Sequence, residues 1–305
     1  MANVHIVVVN YNTAGLLRRC LDHAIASRAE ATMSLTVVDN GSTDGSLAML
    51  REEYPQVRAL RSERNLGFSG GNNLALRQIL AELSPQTARE HDYILLVNSD
   101  LFLAPDTIDG LVRFAEGRSE VGAVGPRVEK LDGTLDLACR RSFPTPASAF
   151  FTLFGLSRRF PGNARFAAYN LTNLDPAQLT EVDAVTAACM LVRVSAIDQV
   201  GLLDERFFMY GEDLDWAYRL KAQGWRIFYN PSVRALHQKG ATSARQSGRM
   251  IVEFYRAMYL FHQKHYATRS PRPLNWLVAA GIAARGGVAL GLNLLRPVTK
   301  KRVAR

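Results

Sequence analysis

Three carboxylates, Glu212, Asp213 and Asp215, follow directly on the apolar-aromatic run Phe207-Phe208-Met209-Tyr210 and a glycine, Gly211. A helix from Glu212 to about Gln223 would turn Leu214, Tyr218 and either Ala217 or Leu220 toward a core, with Gly224 as its stop. The acids then occupy the first turn, where free backbone N–H groups and the helix dipole favour negative charge. Such a position serves two ends: capping the helix, or holding one carboxylate ionised in a cleft as a general base. A second group of polar residues suits a nucleotide. Asp39 can accept a hydrogen bond from the N3–H of a pyrimidine ring, and bare glycines such as Gly70 and Gly71 let backbone approach a diphosphate closely.

The elements that would position these residues alternate between strand and helix. Val4 to Val9 is a nearly continuous apolar run, as expected of a parallel strand covered on both faces, and it ends in Asn10-Tyr11-Asn12. Thr13 is placed to cap a helix through about Ala26, built on Leu16, Leu17, Leu21 and Ile25. A second strand, Leu35 to Val38, runs into a polar loop from Asp39 to Gly45 and a helical segment holding Leu47 and Leu50, which makes a βαβ unit. Val57 to Leu60 and Tyr93 to Val97 read as two more strands, the first followed by Arg64 to Asn73 and a helix, the second by Asn98-Ser99-Asp100. Ligands of open parallel sheets bind beyond the carboxyl ends of the strands, so Asp39, Asn65, Gly71 and Asp100 are expected to share one crevice.

Further along, the pattern predicts a helix from Ala104 to Ala115 and a strand from Val121 to Val128 interrupted by Gly125-Pro126. Arg140 to about Asp175, rich in proline and carrying Phe150, Phe151, Phe154 and Phe160, reads as a long loop or small helical insertion over the cleft. Val182 to Val194 reads as strand, Ser195 to Val200 as a short helix, and Trp225 to Tyr229 and Ser232 to His237 as two short strands.

Composition is that of a folded soluble protein, 48% hydrophobic and 21% charged. Cys20, Cys139 and Cys189 form no C-x-x-C pair, which fits buried free thiols in a reducing cytoplasm. The opening residues, M-A-N-V-H-I-V-V-V-N, read as a first strand rather than as a leader. Net charge is +9, yet no acid follows Glu253 while ten basic residues do, and without those ten, 27 basic residues face 28 acidic ones. The excess belongs to the tail, behind an apolar segment, which points to an anionic membrane surface and away from nucleic acid.

Five segments in order carry a resemblance: V-V-N-Y-N from Val8, V-V-D-N-G-S-T-D-G-S from Val37, N-L-G-F-S-G-G-N-N from Asn65, L-L-V-N-S-D from Leu95, and F-F-M-Y-G-E-D-L-D-W-A-Y-R-L from Phe207, with His237 downstream. Together they resemble the family 2 inverting glycosyltransferases, and most of all their bacterial rhamnosyltransferase-like branch, over about residues 3 to 240. The resemblance implies an α/β fold of the GT-A type: a Rossmann-like nucleotide-binding half with a mostly parallel central sheet and helices on both faces. It divides the chain into a glycosyltransferase domain, 1–240, with a nucleotide-sugar half at about 1–128 and an acceptor half at about 129–240, followed by a helical, basic tail at 241–305.

Carried over by position, the resemblance makes Tyr11, Asn12 and Asp39 contacts to the base and ribose, with Asn65, Gly70, Gly71 and Asn72 on the adjoining wall. Asp100 matches the last acid of the family's D-x-D element and His237 the downstream histidine of its metal site, which would hold Mg²⁺ or Mn²⁺ against the donor diphosphate. Asn98 stands where the first acid of that element would be. Asp213 matches the catalytic base. Glu212 and Asp215 are left to cap the helix or orient acceptor hydroxyls, or, for Asp215, to pair with Arg219 four residues on. The reaction implied is inverting transfer of a sugar, from dTDP-L-rhamnose first and a UDP-sugar next, to a hydroxyl of a cell-surface glycan or lipid-linked saccharide. Val182 to Ala187 departs from the aromatic and glycine common among relatives, in the region expected to read sugar or acceptor.

Two other classes of function compete. A sugar-nucleotide nucleotidyltransferase would need a Gly-rich, basic triphosphate loop after the first strand, which is missing, as are G-x-G-x-x-G after that strand and a P-loop. An inactive nucleotide-sugar-binding scaffold would be consistent with Asn98. A processive synthase would need Q-x-x-R-W after the acidic helix. In the tail, Leu274 to Leu295 is long enough to span a bilayer, but a central Arg285 costs about 2.5–3.5 kcal/mol there. It is expected instead to lie in the interface, anchored by Trp276 with Lys300, Lys301, Arg302 and Arg305 on anionic headgroups, so that the protein sits peripherally at the inner face of the cell membrane.

Overall fold

The structure, a computed structural model, describes residues 1–83, 89–238 and 247–296. Its first half is the expected parallel unit: β1 (Asn3–Asn10), β2 (Thr32–Asn40), β3 (Arg58–Ser62) and β4 (Asp92–Asn98) stand in the order β3-β2-β1-β4, all parallel. Helices α1 (Ala14–Ile25), α2 (Ser46–Glu53) and α3 (Gly67–Glu82) connect them. Val4, Val7, Val8, Val37 and Val38 are fully excluded from solvent, which is why the strands carry so few polar residues. Two local expectations change. The Thr13 hydroxyl donates to Asn10 Oδ1 at 2.6 Å instead of capping α1, whose first N–H, that of Ala14, is taken by the Asp44 carboxylate at 2.8 Å. The segment from Gly67 to Asn73 is the first two turns of α3 rather than a loop before it.

The second half mixes directions. In chain order it holds β5 (Leu101–Leu103), α4 (Thr107–Glu116), β6 (Val121–Lys130), α5 (Pro146–Leu153), α6 (Leu156–Arg159), α7 (Ala164–Ala167), β7 (Thr180–Glu181), β8 (Cys189–Arg193), α8 (Val194–Val200), α9 (Glu212–Ala222) and β9 (Arg226–His237). The sheet continues β4-β8-β6-β9-β5, with β8 antiparallel to both neighbours, β9 parallel to β6, and β7 on the side of β9. The long strand expected from Val182 is confined to β8, because residues 182–188 turn aside: Val182 N bonds Ile227 O, and Ala184 forms a bridge with Arg141. The two short strands expected after Trp225 are one strand with a bulge. Pro126 faces Asn230 and Arg127 faces Arg234, so residues 231–233 have no partner, at the point where Pro126 and Pro231 both lack an N–H to give.

Two helices complete the described chain, α10 (Ser247–His265) and α11 (Arg272–Leu295). Asp215 ties α10 to α9. Its side chain is wholly buried and receives Arg219 Nε at 2.9 Å, Lys264 Nζ at 2.7 Å and His265 Nε2 at 2.8 Å, while the His265 ring lies on Tyr218 with centroids 4.1 Å apart. The expected pairing with Arg219 is thus one of three. By contrast α11 is largely uncovered: Trp276, Leu277, Leu294 and Leu295 are strongly exposed. The helix is long and apolar enough to cross a membrane by length and composition. Lys300, Lys301, Arg302 and Arg305 lie outside the described residues.

Burial by itself would raise the Asp215 pKa, but the bond from His265 and the charges of Arg219 and Lys264 outweigh it and the net shift is downward. A depressed folded-state pKa stabilises above the unfolded value, about 3.9, and that contribution is lost as pH falls through the folded one. Asp215→Asn, which leaves three donors around an uncharged amide, is therefore expected to cost about 3 kcal/mol near pH 7. In urea denaturation the gap from wild type should close as pH is lowered below about 4.

Candidate active site

Backbone pairing brings Asp100 and His237 together. The chain leaves β4 through Ser99-Asp100 and enters β5, which runs antiparallel to the end of β9 with Leu101 opposite His237, and Gln238 N bonds Asp100 O at 2.9 Å. His237 Nε2 then lies 3.1 Å from Asp100 Oδ1, and its Nδ1 lies 3.2 Å from Oδ2 of Asp136. Asp136 was not singled out from the sequence. It is buried, and its Oδ1 accepts from Ala138 N at 3.1 Å at the start of a short 3₁₀ turn. Burial pulls the His237 pKa down, but the two carboxylates more than offset that and raise it.

The donor chemistry here fits a hard divalent cation. A carboxylate oxygen and an imidazole nitrogen 3.1 Å apart match neighbouring positions on one ion, which lie about 3 Å apart when each bond is about 2.1 Å. Asp136 behind Nδ1 stands where an outer carboxylate would orient a ligating histidine. Two residues before Asp100, Asn98 Oδ1 is buried with no hydrogen-bond partner. Among the described residues no three His, Cys, Asp or Glu side chains converge into a ready metal site. Water and a diphosphate would have to complete the shell, as is usual for Mg²⁺.

On the nucleotide side, the loops after β1 and β2 are stitched to each other. Asn12 adopts φ 54°, which asparagine tolerates; its N–H donates to Ser42 Oγ at 3.0 Å and its Oδ1 accepts from Thr43 N at 2.7 Å. Asp39 is buried, with Oδ1 3.5 Å from Asn10 Nδ2. Asn40 clamps the next loop, accepting from Leu66 N at 2.9 Å and donating to Gly67 O at 2.9 Å and to Asn65 Oδ1 at 3.2 Å. Three wall residues lie within α3. Gly70 and Gly71 are buried inside α3, and a Cβ on Gly71 would stand 2.8 Å from Val9 Cγ1, so its bareness serves helix-to-sheet packing. Asn72 is buried and bonds Phe68 O of its own helix.

The start of α3 also grips the segment leading into α9. Phe68 N bonds Phe208 O at 2.7 Å, Ser69 Oγ bonds Phe207 O at 2.6 Å, and Asn73 exchanges two hydrogen bonds with Leu203. The chain then passes through two left-handed residues, Tyr210 (φ 70°) and Gly211 (φ 77°), and α9 begins at Glu212 as expected. All three acids are buried. Asp213 Oδ2 accepts from Arg141 Nη2 at 2.5 Å and from Ala187 N at 3.4 Å. Arg141, also missed in the sequence, is buried, and its charge is reinforced by Asp213 and by Tyr169 against the cost of burial. Among the described residues Glu212 has no such partner: its Oε2 is buried and unbonded, and burial followed by the neighbouring Asp213 charge pushes its pKa up to about 8. The acids and the Asp100 element meet on one short segment, since Ala187 N points at Asp213 while Ala188 O accepts from Asn98 N at 2.9 Å.

The profile of the family described as "Glycosyltransferase like family 2" matches residues 2–253. The chain belongs to that family. It is a glycosyltransferase, as the motif order implied. Over 298 residues it is 30% identical to the N-acetylglucosaminyl-diphospho-decaprenol L-rhamnosyltransferase of Mycobacterium tuberculosis, covering 97% of this chain and 95% of that one. It is 25% identical to the rhamnosyltransferase WbbL of Escherichia coli K12 over 237 residues, 77% of this chain and 83% of that one. Among solved structures, the mannosyltransferase PcManGT of Pyrobaculum calidifontis, in complex with GDP-Man and Mn²⁺, superposes with a TM-score of 0.55 at 16% identity, covering 95% of this chain and 72% of that one. GalNAc-T7 with UDP, GalNAc and Mn²⁺ gives 0.55 at 14%, covering 79% of the glycosyltransferase and 44% of that chain. These likenesses establish the GT-A fold.

The grip of α3 on the Phe208 segment depends on Gly67. It sits at φ +76°, and a Cβ there would come 2.3 Å from Phe208 O. Gly67→Ala adds a left-handed alanine to that clash and is expected to destabilise the glycosyltransferase by about 2–3 kcal/mol, seen as a lowered midpoint in thermal unfolding.

Proposed function

We propose that this glycosyltransferase carries out inverting, metal-dependent transfer of L-rhamnose from dTDP-L-rhamnose to a hydroxyl of a lipid-linked saccharide, at the cytoplasmic face of the cell membrane. The observation that carries the reaction type is the junction at Ala187-Ala188, with the buried acids of α9 on one side and the Asn98-Ser99-Asp100 element on the other. Support for donor and acceptor comes from the near full-length similarity to the mycobacterial L-rhamnosyltransferase. The uncovered α11, with Arg285 in its middle and Trp276 exposed, supports docking in the membrane interface near such an acceptor.

In this reading Asp213 takes the proton of the acceptor hydroxyl as that oxygen attacks the anomeric carbon from the side opposite the diphosphate. The bond from that carbon to the diphosphate oxygen breaks, its electron pair leaves with the nucleoside diphosphate, and the configuration inverts. Arg141 holds Asp213 in one rotamer and offsets its buried charge. Glu212, protonated at pH 7, offers a hydrogen bond from its otherwise unbonded Oε2 side to an acceptor oxygen. Asp39, Tyr11 and Asn12 hold the base and ribose, with Asn65 beside them. Asp100 and His237 would hold a divalent cation, which when bound would supply charge neutralisation for the departing diphosphate.

Release of nucleoside diphosphate from a panel of dTDP- and UDP-sugars with Mg²⁺ or Mn²⁺ tests the reading, and turnover of dTDP-L-rhamnose alone is expected. Asp213→Asn should lower kcat about a thousandfold with donor KM little changed. Glu212→Gln, which mimics the neutral acid, should stay within a few-fold of wild type at pH 7 and abolish any change in rate centred near pH 8. The reverse outcome, an active Asp213→Asn and a dead Glu212→Gln, would move the base to Glu212. Asp136→Asn should weaken Mn²⁺ activation about 10- to 100-fold in metal titrations.

A further inference from the structure

The insertion between β6 and β7 has surface chemistry that the transfer site does not use. No acid occurs from Leu137 to Leu174. Over the three short helices of this segment, Phe150, Phe154 and Phe160 are 51%, 63% and 46% exposed, and Arg158, Arg159 and Arg165 are exposed beside them. The rings are neighbours. Phe150 lies 4.4 Å from Phe154 and Phe151 4.9 Å from Phe166, centroid to centroid, while Arg165 and Arg159 reach over Phe151 and Phe160. Single exposed apolar side chains need no explanation, but a contiguous aromatic patch edged only by cations marks an interaction surface.

Three observations point to the occupant. Another acid-free stretch follows Glu253 and contains the uncovered α11. The insertion leaves the body beside α10, which leads into α11: Phe143, two residues before the Thr145 cap of α5, lies 5.0 Å from Tyr218 and 6.4 Å from Phe261. Finally, Tyr169 joins the insertion to the acids. It lines a cavity of about 240 Å³ with Leu137, Arg158 and Phe166, and it interacts with Arg141, the partner of Asp213.

We propose that residues 145–167 form a second membrane-contacting element, the lip of the acceptor site, with the phenylalanines in the interfacial layer of an anionic bilayer and the three arginines on its phosphate headgroups. It rests on the lipid-linked acceptor reading. Aromatic rings favour the headgroup boundary, and basic side chains there gain from the negative surface potential. A lipid-borne acceptor would then reach Asp213 along the Tyr169–Arg141 side without leaving the membrane surface.

The test uses the full chain with an environment-sensitive fluorophore on Phe154→Cys or, separately, on Leu294→Cys in α11. Cys20, Cys139 and Cys189 are buried, so labelling is selective. With vesicles of equal phosphatidylcholine and phosphatidylglycerol both labels should brighten and shift to the blue, and with phosphatidylcholine alone neither should. Replacing Arg158, Arg159 and Arg165 together by Gln should weaken vesicle binding roughly a hundredfold. If the α11 label responds while that at Phe154→Cys stays in water, the lip is wrong and the membrane reading survives. If neither responds, both fall. A Phe154→Cys signal that grows with protein concentration in the absence of vesicles would identify a second copy as the occupant and overturn the proposal.

Discussion

Three carboxylates buried in the first turn of one helix are the constraint around which the second half of the fold is arranged. A charge removed from water must be paired, neutralised or left at a cost of several kcal/mol, and each acid of α9 meets this differently. Asp215 is paired by Arg219 of its own helix and by Lys264 and His265 of α10. Asp213 is paired by Arg141, delivered from the far side of the insertion. Glu212 forms no ion pair among the described residues, and burial with the Asp213 charge raises its pKa to about 8. One cation-paired, oriented carboxylate beside one acid of raised pKa is the result, from two residues adjacent in sequence.

The geometry at Asp100 and His237 follows from the change of strand direction. A wholly parallel sheet would bring only successive strand ends to one edge. Here β5 turns back against β9, and that antiparallel pairing carries His237 to Asp100. The bulge at residues 231–233 belongs to the same device, since it lets β9 stay parallel to β6 before and after the bend and still reach β5. Asp136, whose N–H bonds Val128 O beyond the bend, then stands behind the imidazole.

The C-terminal helices are joined to the chemistry rather than appended to it. Through Asp215, α10 braces the helix that bears Asp213, and through α11 it presents an uncovered apolar surface. Whatever α11 docks against is therefore mechanically continuous with the acidic helix, by way of a buried ionic cluster and the stacked Tyr218 and His265 rings.

The sequence by itself determined the parallel nucleotide half, the start of the acidic helix at Glu212 and the family, because these rest on local patterns: valine runs, polar strand ends, a glycine before a first turn. It also named Asp100 and His237, through motif order. What only the tertiary structure decided depends on pairing across long separations. Arg141 lies 72 residues from Asp213, His265 lies 50 from Asp215, and Asp136 lies 101 from His237, and no periodicity marks such partners. The same holds for glycines and amides. Gly71 and Asn72 stand out in the sequence as members of a motif, and only the fold brings Gly71 against Val9 and bonds Asn72 to Phe68 O. Charge and pattern tell which groups must be buried or exposed; the packed chain alone determines which of them meet.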